Sequence, residues 1–298
     1  MADDANSFAV EATGPAAIRR PMQATRLPLR RQSTNGFTLA ELVITVGVLV
    51  LLVFLATQLL KSAATVTTLG HKQIDADSQA RQLLDRMAVD FTQMIKRSDV
   101  TYYWKGGTGG SQIGNDQMAF YCAVPGYYST TSSTTQSPIS LIAYRINSQN
   151  KAERFGKGLL WNGVSLAENP LVFWQPIAAP TDADYTTSGE IVAPQVFRFE
   201  YCYQLTTGFL SITPPANISG IAAIVVDIAV IDPRSKVLLN DAQITNLAGQ
   251  LSDYNASMVP GQLRNAWQNT INGSTLPRPA VSGIRVYERF FYLSPPSL

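Results

Sequence analysis

At 298 residues, with 46% apolar and 15% charged side chains, the chain has material for a buried core and is not of the disordered class. Its formal charge of +2 sits wholly in residues 1–36, where Arg19, Arg20, Arg26, Arg30 and Arg31 outnumber Asp3, Asp4 and Glu11; of the 23 basic and 21 acidic groups, 18 of each remain for residues 37–298. A neutral remainder offers no basic stripe for phosphates, so no nucleic acid is expected as a partner, and two cysteines with one histidine cannot build a Cys/His metal cage.

The first element is a basic leader, residues 1–36. After it comes Gly36-Phe37-Thr38-Leu39-Ala40-Glu41, opening an apolar run to Leu60 in which Thr45 is the one polar side chain between Leu42 and Ala56. Residues 37–60 span roughly 36 Å as a helix, enough for a hydrocarbon core of about 30 Å. Arginines precede the run and Lys61 follows it, so the positive-inside bias places the N-terminus in the cytoplasm and the C-terminal bulk across the membrane. An ordinary secretory signal is the competing reading, with Ser62-Ala63-Ala64 as its cleavage site. The apolar run is too long for that, and the leader too extended.

Glu41 is the one carboxylate in the span. An interfacial carboxylate costs less than the roughly 2.5–3.5 kcal/mol charged at mid-bilayer, and that is the plain reading. The sharper one follows if the bond after Gly36 is cut. Phe37 then carries an α-amine one helical turn from Glu41, and within reach of Glu41 in a staggered neighbouring helix. Ammonium and carboxylate compensate each other in a low dielectric and favour one stagger.

The order of glycine, aromatic residue, glutamate and span resembles the processing motif of type IV pilins and type II secretion pseudopilins. The resemblance implies cleavage after Gly36 and methylation of Phe37 by a prepilin peptidase, with Glu41 supporting assembly. It also implies as partners that peptidase, other pilin-like subunits met through the N-terminal helix, and the inner membrane. The leader is long for the family. Gln58 stands where many major pilins have a helix-kinking proline, which leans toward a pseudopilin or minor pilin.

Residues 61–100 are helix-compatible, with Ala80, Leu84, Met87, Phe91 and Met94 as one apolar stripe. Asp77 with Arg81 and Arg86 with Asp90 read as i,i+4 pairs on the solvated side. Glycines between 105 and 116 end the helix in a loop, and no Gly-Lys-Ser/Thr follows to make it a phosphate loop. Strands are expected at Gln117–Val124, Ile139–Asn147, Gly158–Trp161, Leu171–Trp174, Gln195–Leu205, Ile221–Ile231 and Lys236–Leu239, as an antiparallel meander. Surface connections fall at Ser129–Ser137, 176–194 and 206–220. Phe197, Phe199, Tyr201 and Tyr203 alternate with Arg198, Glu200 and Cys202, as a half-buried strand does. Helices near Ala242–Leu251 and Gln262–Thr270 and a final strand at 286–293 complete a C-terminal extension.

The expected fold is α+β: a long pilin-like N-terminal helix, half membrane span and half amphipathic, packed on an antiparallel β-sheet domain. Its parts are the leader (1–36), the span (37–60), the amphipathic helix (61–100), the β domain (101–240) and the extension (241–298). The long helix, Phe197–Tyr203, and Ile221–Ile231 running through Asp232-Pro233-Arg234 resemble the J-type minor pseudopilin of type II secretion. They also resemble the Verru_Chthon cassette protein C family, whose members share a C-terminal strand like 286–293. The function implied is a structural filament subunit and not an enzyme. The alternative is a single-span binding or adhesion protein that does not assemble.

Few other residues carry chemistry. Cys122 and Cys202 lie in separate strand-like runs, and a disulfide between them is weighed against two free thiols. His71 reads as a solvated helix residue, without a Gly-x-Ser-x-Gly elbow or a second histidine to make a triad. Asp182, Asp184 and Glu190 could offer oxygens to calcium, which some pseudopilins bind, but they lack EF-hand spacing, and a solvated acidic loop is the plainer expectation. No other cofactor is expected.

Overall fold

The computed structural model describes residues 36–96, 103–107, 114–129, 134–158, 180–215, 218–255 and 257–293. Chain contacts divide it into two units, 1–57 and 58–298. Helix α1 runs from Leu39 to Thr92. Its start is a capping box: the Glu41 amide donates to the Thr38 hydroxyl at 3.2 Å, and the Thr38 amide donates to the Glu41 carboxylate at 3.0 Å. No proline interrupts it, and the Thr-rich stretch satisfies itself, with the hydroxyls of Thr65, Thr67 and Thr68 donating to carbonyls four residues back. It stops short of the expected Val100 because strand β2 (Asp116–Cys122) and the residue after it take over its hydrogen bonds. The Ile95 amide donates to the Tyr121 carbonyl at 2.9 Å and the Ala123 amide to the Gln93 carbonyl at 2.8 Å.

The second unit is α+β, with antiparallel sheets. Strands β1 (Tyr103–Gly107), β2 (Asp116–Cys122), β5 (Ser140–Ile146), β6 (Ala152–Gly158) and β7 (Gly189–Ala193) form a first sheet in the order β1-β2-β5-β6-β7. Strands β8 (Val196–Leu205), β9 (Leu210–Ser211), β10 (Ile221–Ile231) and β11 (Ile284–Tyr292) form a second, ordered β11-β10-β8-β9. The first sheet follows chain order apart from an inserted hairpin; in the second, β8, β10 and β11 neighbour one another in chain order as the expected meander requires, and only the short β9 departs from it, pairing on the outer edge of β8.

Several local expectations change. Ser129–Ser137 is not a plain loop, since β3 (Gly126–Ser129) and β4 (Thr134–Ser137) pair there as a hairpin. The 176–194 connection contains α2 (Asp182–Ser188) and β7. Lys236–Leu239 is not a strand: Asp232 caps α3 (Pro233–Lys236), accepting from the amides of Arg234 and Ser235 at 3.0 and 3.1 Å, and Pro233 presets the first helical φ. Of the expected strand at Gly158–Trp161 only Gly158 is described, as the end of β6, and Leu171–Trp174 lies outside the described residues.

The extension from 241 onward is part of the same body. β11 pairs with β10 from Ala223 to Ile231, so the second sheet is incomplete without it. Helices α4 (Asp241–Gln250) and α5 (Gln262–Gly273) send Ile244, Leu247, Leu263, Trp267 and Ile271 into a core on one face of that sheet. Its other face shares a core with the first sheet and with Ala76, Ala80, Leu83, Leu84, Met87, Phe91 and Met94 of the α1 segment. Strand β8 is therefore buried on both faces from Val196 to Tyr203, where alternation alone indicated one. Phe91 touches a ring in each sheet, Phe120 and Phe291, both at 5.0 Å between centroids.

Gly283 enters β11 under a close contact. A Cβ there would lie 1.8 Å from Asp232 Oδ2 and 2.1 Å from Ser235 Oγ, both on the capped α3 turn. Gly283→Ala should therefore lower stability by about 1–3 kcal/mol, the usual scale for overpacking. Urea unfolding of the full chain in detergent micelles measures it, and an unchanged midpoint contradicts the contact.

Candidate functional site

The candidate site is the head of α1. Gly36 and Phe37 precede the first helical residue, and a side chain at Gly36 would meet no described atom within 4 Å. Phe37 is 80% exposed. Every large apolar side chain from Leu42 to Leu60 is at least 50% exposed. The helix is long and apolar enough to cross a membrane. The capping box puts the Glu41 carboxylate back over the Thr38 amide, at the end of the helix where unpaired N–H groups favour a negative charge.

The remaining candidate residues serve the fold. Cys122 and Cys202 are buried thiols in different cores, and no disulfide joins them. Cys122 ends β2 on the α1 side, where its thiol donates to the Asp90 carbonyl at 3.2 Å. Burial, with the Asp90 charge adding to it, pushes that thiol well above its ordinary range, which makes it a poor nucleophile. Cys202 lies on β8, on the face covered by α4 and α5.

The acidic residues weighed for calcium do not converge. Asp182 accepts from the Arg145 guanidinium. Asp184 completes the capping box that Thr181 opens on α2, and hydrogen bonds from the Thr181 side chain and backbone hold its carboxyl below the usual range. Glu190 pairs with Arg154 at 3.3 Å and Arg86 at 3.8 Å. Among the described residues no three His, Cys, Asp or Glu side chains gather as metal ligands would. His71 is an exposed helix residue.

The pairs assigned to the solvated side of α1 belong elsewhere. Asp90 is 1% exposed and does not pair with Arg86 as expected. Arg154 on β6 grips it with two bonds, Nε to Oδ2 at 2.7 Å and Nη2 to Oδ1 at 3.0 Å, and the Tyr144 hydroxyl donates to it as well. Burial alone would lower the Arg154 pKa; the Asp90 hydrogen bond and charge reverse this, and the net direction is upward. Tyr144 is pushed far up by burial and by Asp90, so it stays a donor. Asp77 accepts from the Tyr287 hydroxyl and Asp85 from Arg289, which ties α1 to β11. The overlooked signal was position: Asp90 lies on the 83–87–90–94 row of the helix, whose other members are apolar and buried.

No protein-family model matches the chain, and no curated protein matches it.

Asp90→Ala would leave the buried Arg154 guanidinium with Glu190, a largely exposed carboxylate, as its remaining counter-charge. The expected loss is about 3–5 kcal/mol, the scale for removing one partner of a buried ion pair. Chemical unfolding of the full chain checks this, and a loss below about 1 kcal/mol, the scale of an exposed pair, contradicts it.

Proposed function

We propose that the chain is a structural subunit of a pilus-like or type II secretion filament, a minor pseudopilin or pilin-like protein cut by a prepilin peptidase after Gly36. The observation that carries this reading is the order of groups at the head of α1. An accessible glycine, an exposed phenylalanine and a first-turn carboxylate lead directly into an apolar helix whose side chains stay exposed. An apolar surface of that length needs lipid or other helices around it. In this reading the leader arginines stay cytoplasmic, the helix crosses the inner membrane once, and residues beyond it lie in the periplasm. Cleavage frees the Phe37 ammonium, the counter-charge for Glu41 of an adjacent subunit, and apolar helices bundle in the filament while the β-sheet bodies remain outside.

One observation favours a different reading, a single-span binding or adhesion protein that never assembles. The Thr38–Glu41 capping box gives the carboxylate a purely local use.

Replacing Glu41 by Gln separates the two, because glutamine keeps the capping geometry and removes the charge. Hydrogen bonds to charged groups contribute about 1.5–3 kcal/mol, so Glu41→Gln should weaken incorporation beside pilin-like subunits by roughly 10- to 100-fold in native membranes. Cross-linking yield between subunits measures it. Glu41→Gln assembling like the unaltered chain overturns the filament reading.

A further inference from the structure

The second sheet carries a row of three carboxylates across its strands. Asp227 on β10 lies directly opposite Glu200 on β8 and directly opposite Glu288 on β11. Residues opposite one another in an antiparallel sheet share a face, with Cβ atoms about 4.5–5.5 Å apart, and like charges so placed repel. That face is the one covered by α4 and α5, since Cys202, Val225 and Ala229 beside the row belong to their core. Asp227 is 0% exposed and Glu200 3%.

Each carboxylate holds the chain that leads into α5. The Tyr254 amide donates to Glu200 Oε1 at 3.4 Å, the Tyr254 hydroxyl donates to Asp227 Oδ2, and the Gly261 amide donates to Glu288 Oε1 at 2.8 Å. Gly261 has φ of +81° and is the cap residue of α5. All three grips therefore act on the stretch between α4 and α5. The positive groups facing the row are Arg198 on β8, 3.7 Å from Glu200 Oε2 and also paired with Asp253, and Arg264 at the start of α5. Asp253, Tyr254 and the Cys202 thiol are further titratable groups beside it. The middle carboxylate has the least support: its Oδ1 is buried without a hydrogen-bond partner.

We propose that the Glu200–Asp227–Glu288 row is a proton-operated latch: one proton kept on the row holds residues 252–255, 257–261 and α5 against the second sheet, and its loss releases them. The Asp227 carboxyl is pushed up to about 7, first by burial and further by the Glu288 charge, against the Tyr254 hydrogen bond and Arg264. Its folded pKa exceeds the ordinary carboxylate value, so this stabilisation is complete below about pH 4 and is lost as the pH rises through about 7. An acidic medium closes the latch, and an alkaline one opens it. The inference does not depend on the filament reading, since it concerns only the second sheet and its cover.

Hydrogen–deuterium exchange of the full chain in detergent micelles, corrected for the intrinsic pH dependence, tests the latch. Between pH 5.5 and 8.5 the opening constant for residues 252–273 should rise roughly 30-fold, as linkage requires for this shift, while β8 and β10 peptides keep their protection. Asp227→Asn, which keeps an acceptor for Tyr254, should abolish the rise. Glu288→Gln should move its midpoint to lower pH, and it carries the test should Asp227→Asn fail to fold. A flat corrected profile, an unchanged slope in Asp227→Asn, an unmoved midpoint in Glu288→Gln, or equal acceleration of all peptides overturns the proposal.

Discussion

Asp90 and Arg154 are held together almost out of reach of water, and the position of α1 on the first sheet depends on that pairing. A buried charge is tolerable only when its partner and the remaining lone pairs are satisfied. Here a bidentate guanidinium and the Tyr144 hydroxyl meet the carboxylate together. Apolar side chains at helical spacing would let the helix slide or turn by a residue with little loss. The ion pair permits one register.

Other contacts repeat that logic along the same helix. Lys72 donates to Ser235 Oγ at 3.0 Å and to the Pro279 carbonyl at 2.9 Å, which fixes α1 to the α3 and α6 (Arg278–Val281) turns. Asp77 and Asp85 engage Tyr287 and Arg289 on β11, and Phe91 lies between Phe120 of one sheet and Phe291 of the other. From Lys72 to Met94 the helix is thus indexed by polar contacts to elements far apart in sequence. From Leu42 to Leu60 it presents apolar side chains with no such markers. In the proposed role, the first surface holds the helix to its own sheets and the second is left for lipid or other helices.

The apolar rows were legible wherever burial followed a single period. The stripe from Ala80 to Met94 and the strand Ile221–Ile231 match the structure, and α4 and α5 begin within a residue of expectation. What failed was the reading of charged residues. Arg198 and Glu200 alternate with aromatics as surface residues do, yet they face the cover formed by Leu263, Trp267 and Ile271. The same alternation describes a solvated face and a buried ion cluster, and only the distant helices decide between them. Ser-, Thr- and Asp-rich stretches hid α2, β7 and the β3–β4 hairpin, because their order comes from capping and cross-strand pairing instead of apolar content. The carboxylate row was invisible for a related reason: its members come from three strands whose register no local pattern reveals.

The proposed role rests on one cut bond at the head of α1. The most direct measurement is mass spectrometry of the N-terminal peptide of the protein taken from its native membrane. The account predicts a chain that begins at N-methylated Phe37. A chain that still begins at Met1, or one that begins after Ala64, contradicts it.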